Sequence, residues 1–160
     1  MVSDRRLMEV EGPEAMHHLG ERLARLLQPG DVLLLHGDLG AGKTTLTQGV
    51  LLGLGVTTPV TSPTFVLVSE YSGATTSGEA VAIRHVDLYR LNEPGELDSL
   101  GYSDLIDDPH TVTIIEWPER AGDELPATYI LLTFAFSGPG SRVVELRVEP
   151  ETTRFEGIVL

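Results

Sequence analysis

No disulfide can form in this chain, because it contains no cysteine. That fits a reducing cytoplasm without requiring one, since exported proteins can also lack cysteine. No apolar run approaches the ~18 residues needed to span a bilayer, and Met1-Val2-Ser3-Asp4-Arg5-Arg6 leads into no signal-like apolar stretch. A soluble, cytoplasmic protein with no membrane role is expected. Basic residues are scarce: 11 Lys and Arg stand against 24 Asp and Glu, for a formal net charge of −13. A surface of that sign repels a polyanion, which argues against unaided nucleic-acid binding. No internal repeat and no linker-like segment divides the sequence. Its 160 residues and 41% hydrophobic content suit one domain spanning 1–160, large enough to bury roughly two-thirds of its unfolded surface.

The scarcity of lysine sharpens the one motif that needs it. Ten of the eleven basic residues are arginine, and the single lysine stands in Gly37-Asp38-Leu39-Gly40-Ala41-Gly42-Lys43-Thr44-Thr45. This stretch follows the apolar run Val32-Leu33-Leu34-Leu35 and precedes a helical pattern, the setting of a P-loop. Glycines allow a tight turn whose N–H groups converge on an anion, and the following helix adds its positive N-terminal end. Asp38, Leu39, Gly40, Ala41 and Gly42 would form that cradle. Lys43 would reach the β- and γ-phosphates, Thr44 would offer its hydroxyl to Mg²⁺, and Thr45 would bond the α-phosphate. The plain alternative is a Gly-rich turn with a surface lysine, and the strand-then-helix setting argues against it.

Along the chain, Arg6 to Val10 is predicted as a short strand. Gly12-Pro13-Glu14 then opens a helix, with proline tolerated in the first turn although a Ser or Thr cap is missing. Met16, Leu19, Leu23, Leu26 and Leu27 recur at helical spacing, giving an apolar face before Pro29-Gly30 ends the pattern. His17 and His18 project about 100° apart on such a helix and make a poor metal pair. A second helix runs from Thr44 to Leu54. Val66 to Tyr71 and Ala80 to Asp87 read as a hairpin about the turn Ser72 to Glu79. Short helical pieces follow around Glu96 to Leu100 and Ser103 to Asp107. Thr111-Val112-Thr113-Ile114-Ile115 is β-branched throughout, as in a buried parallel strand, and Tyr129 to Phe136 pairs with Arg142 to Glu149 as a terminal antiparallel hairpin. The pattern predicts an α/β fold: a single P-loop NTPase-like domain with a central, largely parallel sheet, flanking antiparallel strands and helices on its faces.

Two carboxylates stand where a phosphate site needs them. Asp87 ends one predicted strand and Glu116 ends another, so both reach the sheet edge where ligands of open α/β folds collect. A Mg²⁺ ion or an attacking water needs an anionic partner there. Glu116 follows the stronger buried-strand pattern and is assigned as the magnesium-side acid, direct or through water, with Asp87 positioning water or standing behind it. Solvated strand ends are the alternative for both. His85 shares a strand face with Asp87 and reads as a hydrogen-bonded histidine, since two metal ligands lack a third. Thr64, within Val60-Thr61-Ser62-Pro63-Thr64-Phe65, reads either as a switch threonine sensing a γ-phosphate or as a turn cap. Trp117 reads as a nucleotide cover or a core anchor, the core slightly preferred on physical grounds. Arg90 binds phosphate or pairs with a local acid, the latter preferred.

Four motifs in order carry a family resemblance: the P-loop of Gly37 to Thr45, Ser62-Pro63-Thr64-Phe65, His85-Val86-Asp87-Leu88-Tyr89-Arg90 and Glu116-Trp117-Pro118-Glu119. Together, across roughly residues 15 to 120, they resemble the bacterial TsaE proteins, also called YjeE. The resemblance implies an ATPase subunit of the machinery that makes threonylcarbamoyl-adenosine in tRNA. Such a subunit does not transfer the group; its ATP binding and hydrolysis support repeated turnover of a TsaB–TsaD pair. The resemblance therefore implies ATP and Mg²⁺ as cofactors, TsaB-like and TsaD-like partners, and tRNA contact only through them. By position it puts Lys43 and Thr44 at phosphate and magnesium, Thr64 in a switch-like loop, and Asp87 and Glu116 as acids essential for hydrolysis. It also puts Trp117 beside the nucleotide, against the core preference.

Two rivals belong to other classes. A small-molecule P-loop kinase needs an arginine-bearing lid and an acceptor pocket, and Arg120 is the only arginine between Glu116 and the terminal hairpin. A non-hydrolysing, nucleotide-gated binding module would share the P-loop but release no phosphate. Guanine specificity has no support, since no Asn-Lys-x-Asp segment is present.

Overall fold

Two strands are apolar on both sides, and they form the middle of the sheet. In β2 (Val32–His36) the first four residues are buried, and in β5 (Thr111–Glu116) all six are. A computed structural model describes residues 5–58, 68–89, 91, 96–97, 101–122, 124–150 and 152–158. The remaining strands are β1 (Arg5–Glu11), β3 (Val68–Ala74), β4 (Ala80–Asp87), β6 (Tyr129–Gly138) and β7 (Ser141–Glu149), and the helices are α1 (Gly12–Ala24), α2 (Lys43–Gly53) and α3 (Tyr102–Ile106). Seven strands form one sheet in the order β1-β7-β6-β2-β5-β4-β3. Its centre, β6-β2-β5-β4, is parallel, while β3 and the β7-β1 edge pair antiparallel. The expected α/β architecture is therefore present.

Alternation along the strands splits the core in two. Leu33, Leu35, Val112, Ile114, Val81 and Ile83 face α1 and α2, whose Met16, Leu19, Leu23, Leu46, Val50 and Leu51 join them in one cluster. Val32, Leu34, Ile115 and Val86 face the other way and pack with Leu88, Tyr102 of α3 and Ala121 of a 3-10 helix, Pro118–Ala121. Among the described residues no helix is long and apolar enough to cross a membrane.

Several expectations are refined by tertiary pairing. α1 ends at Ala24, before the Pro29-Gly30 break, and Leu26 is only partly buried. β3 extends to Ala74, so the hairpin turn is shorter than predicted; residues 66 and 67 of that predicted strand lie outside the described residues. β6 is no mere flanking strand, because its other side pairs in parallel with β2. The missing Ser or Thr cap of α1 is answered from afar: Gly12 N–H donates to Gly140 O in the β6–β7 turn at 2.8 Å.

α1 and α2 cross through two glycines. A Cβ on Gly20 would run into the Leu46 carbonyl, and one on Gly49 into the His17 carbonyl, so the two backbones touch directly. Alanine favours a helix over glycine by about 1 kcal/mol, yet overpacking a close contact costs about 1–3 kcal/mol and is felt by the whole core. Gly49→Ala is expected to lower stability by about 2 kcal/mol in a denaturant titration. A midpoint at or above the parental one would contradict this crossing.

Candidate functional site

The sheet's register brings the two acids together. Asp87 and Glu116 are partners at the C-terminal ends of β4 and β5, and Leu35 pairs with Glu116 just before β2 gives way to the glycine-rich loop. After that loop the first helical bond of α2 runs from Leu46 N–H to Gly42 O at 2.9 Å. The N–H groups of Lys43, Thr44 and Thr45 thus have no acceptor within the helix and remain for an anion. Gly42 has φ 106°, a left-handed conformation suited to glycine, and a Cβ there would strike the Met16 side chain. Helix α1 therefore supports the loop from beneath.

Lys43 is 5% exposed. Its ammonium donates to Gly37 O and lies 3.7 Å from the centre of the Trp117 ring. Burial pulls the Lys43 ammonium below its ordinary range, while the fields of Glu116, Glu119, Asp87 and Asp38 oppose that pull. Asp87 is pushed above the usual carboxylate range, first by burial and further by Glu116; the Tyr89 N–H bonded to Oδ1 at 2.9 Å acts the other way. Glu116 is buried, and its Oε2 lies 2.6 Å from His85 Nε2. The expected hydrogen-bonded histidine is thus found, with Glu116 as its partner.

Trp117 has φ 59° and ψ 50°, the only non-glycine positive φ among the described residues. Such a conformation costs about 1–2 kcal/mol, and a desolvated cation over an indole returns about as much. Its ring also lies 4.9 Å from the Tyr89 ring, centre to centre, and packs on the second apolar cluster. The core-anchor reading of Trp117 is thus met by its packing on that cluster, and its ring also faces the loop lysine. The His36 Nε2–Glu119 Oε2 pair at 3.0 Å ties the 3-10 helix to the end of β2.

A cavity of about 330 Å³ opens between these parts, lined by Leu39, Gly40, Gly42, Lys43, Thr44, Thr45, Asp87, Tyr89, Glu116 and Trp117. Ala41 is buried beneath it, and Asp38 takes the Ala41 N–H on its carbonyl at 3.2 Å without lining it. Thr64 and Arg90 lie outside the described residues. No group of three or more His, Asp or Glu among the described residues is placed to hold a metal by itself. The hydroxyl of Thr44 and the carboxylates of Asp87 and Glu116 are hard oxygen donors, which fits Mg²⁺ when phosphate supplies further oxygens. Sequence reasoning missed two contributors. Tyr89 follows Asp87 within its own motif, a proximity that marks it, whereas Arg142, whose Nη2 donates to Gly40 O at 3.1 Å, comes from 102 positions away.

A family model described as "Threonylcarbamoyl adenosine biosynthesis protein TsaE" matches residues 10–143. The chain belongs to the TsaE family. It is similar to the tRNA threonylcarbamoyladenosine biosynthesis protein TsaE of Nostoc sp., 44% identical over 136 residues, covering 83% of this chain and 80% of that protein. The protein of the same name from Streptomyces coelicolor is 46% identical over 111 residues, covering 69% of this chain and 72% of its own. The crystal structure of Bacillus subtilis YdiB matches with a TM-score of 0.78 at 26% identity, over 99% of this chain and 93% of that one. The TsaE family serves threonylcarbamoyladenosine biosynthesis with a nucleotide-binding protein of P-loop NTPase type.

The raised Asp87 has a consequence for stability. A carboxyl that holds its proton more tightly folded than unfolded destabilises the fold once ionised, so this cost appears as pH rises above the ordinary value of 3.8. Asp87→Asn, which keeps an acceptor for Tyr89 N–H, is expected to raise the thermal midpoint at pH 7, and the gain should close as pH falls below 3.8. A midpoint lowered at neutral pH would contradict the assigned environment.

Proposed function

We propose that the chain is an ATP-binding, ATP-hydrolysing accessory subunit of tRNA threonylcarbamoyladenosine modification. It acts in the cytoplasm as a single P-loop ATPase domain, residues 1–160, and supports turnover of a TsaB-like and TsaD-like pair. The observation that carries this reading is the meeting of Lys43 with Asp87 and Glu116 around one cavity. Membership of the TsaE family supports its place in the pathway.

ATP phosphates are taken by the N–H groups at the start of α2 and by Lys43, which exchanges the Gly37 carbonyl and the Trp117 face for oxyanions. Such charge-assisted bonds are roughly twice as strong as neutral ones. Thr45 serves the α-phosphate, Asp38 to Gly42 hold the backbone cradle, and Thr64 senses the γ-phosphate. Thr44 and Glu116 would hold Mg²⁺, which would supply positive charge against the phosphate oxygens. Asp87, with one oxygen fixed by Tyr89 N–H, orients the attacking water and accepts its proton. The water oxygen bonds to the γ-phosphorus as the bond to the bridging oxygen breaks, and ADP leaves with that electron pair. Trp117 covers the site beside Lys43.

With a net charge of −13 and its lone lysine engaged by phosphate, the free chain cannot neutralise an RNA backbone. Its effect on tRNA travels through protein partners that distinguish nucleotide states, and such coupling is reciprocal. Phosphate release from ATP with Mg²⁺ tests this for the chain alone, then with a TsaB–TsaD pair, then with tRNA. Lys43→Ala should lose nucleotide binding, Glu116→Ala and Asp87→Ala should lower kcat more than they raise KM, and the pair should shift the rate. Parental rates in both acid variants, indifference to the pair, or tight salt-sensitive tRNA binding by the isolated chain would overturn it.

A further inference from the structure

We propose that His85 is a positioning residue: it donates its Nε2–H to Glu116 and holds that carboxylate in one orientation at the rim of the cavity. Its consequence for turnover rests on the ATPase reading above; its geometry does not. On β4, His85 and Asp87 point to the same face. His85 stands opposite Ile114, and Asp87 opposite Glu116. The imidazole therefore lies one row beneath the two acids and reaches across to the neighbouring strand, with Nε2 and Oε2 2.6 Å apart. His85 is 1% exposed and Glu116 5%, so water competes little for either.

An ionised carboxylate has no proton to give, so Nε2 must carry the hydrogen. Nδ1 finds no hydrogen-bond partner among the described residues. Through Nε2 the ring donates to Glu116. Asp87 and Glu116 are adjacent like charges that repel one another, and an unanchored Glu116 would swing away from its neighbour. Fixing Oε2 from below leaves the second oxygen for the cavity that Glu116 lines. A histidine that merely filled space would be replaceable by any side chain of similar volume; one that positions needs a donor at Nε2.

Two substitutions separate these roles. His85→Gln places an amide N–H near the position of Nε2, and His85→Met fills similar volume without a donor. Turnover of ATP with Mg²⁺ is measured for both in the full chain, alongside the ring nitrogen resonances of His85 in the parent. H85M is expected to lose about tenfold or more in kcat with KM within about twofold, and H85Q to recover most of that loss. The resonances should show hydrogen on Nε2 and a shift on Glu116→Gln. Parental turnover in H85M, H85Q as poor as H85M, or an Nε2 without hydrogen would overturn the proposal. A parent that turns over no ATP would count against the ATPase reading alone, and the ring resonances, which need no turnover, would still decide for or against His85.

Discussion

A buried ammonium is tolerated only where anions and dipoles replace its water, and Lys43 imposes that condition on everything around it. Burial destabilises its charge, and Glu116, Glu119, Asp87 and Asp38 together restore part of what burial removes. Those acids come from four places, the end of β4, the end of β5, the 3-10 helix and the loop itself, so the sheet register must bring them within reach of one cation. On the proposed function, the same arrangement sets which form of nucleotide the cavity takes. Bare triphosphate would meet Asp87 and Glu116 as well as Lys43 and be repelled by both acids, whereas triphosphate with a divalent cation matches the oxygen donors as well as the ammonium.

The loop is held from several sides, each by a different physical means. The glycine crossing of α1 and α2 lets the helices approach until Met16 sits beneath Gly42. From the far edge of the sheet, Arg142 reaches Gly40 O while its guanidinium stacks 4.3 Å above the Phe136 ring, and Gly140 O takes the first N–H of α1. The terminal hairpin thus supports both the helix entry and the loop tip. Trp117 adds a strained but compensated turn that puts an aromatic face on the ammonium from the β5 side.

Much of this was legible because local patterns carried it. The loop announced itself through glycines and the lone lysine between an apolar run and a helix, and Thr111 to Ile115 through a β-branched run that only a doubly covered strand tolerates. Asp87 and Glu116 were placed by the ends of their strands. What local pattern does not contain is partner choice. Nothing near Tyr129 says that β6 pairs with β2, and the His85–Glu116 bond joins residues 31 apart. Arg142 and Gly40, 102 apart, are neighbours only because β7 turns back beside β6. Trp117 was ambiguous for a different reason: a large amphipathic ring suits a core and a site alike, and composition cannot choose between them.

The most direct measurement is a structure of the chain with a non-hydrolysable ATP analogue and Mg²⁺. The expected result places the phosphates within about 2.7–3.2 Å of the N–H groups at the start of α2 and of Lys43 Nζ, with the Lys43 ammonium released from Gly37 O and the cation between the Thr44 hydroxyl and Glu116. A separate groove lined by Asp31, Tyr129 and Arg154 encloses about 500 Å³ at the other end of β2. Phosphates seated there, or anywhere away from Lys43, would contradict the site.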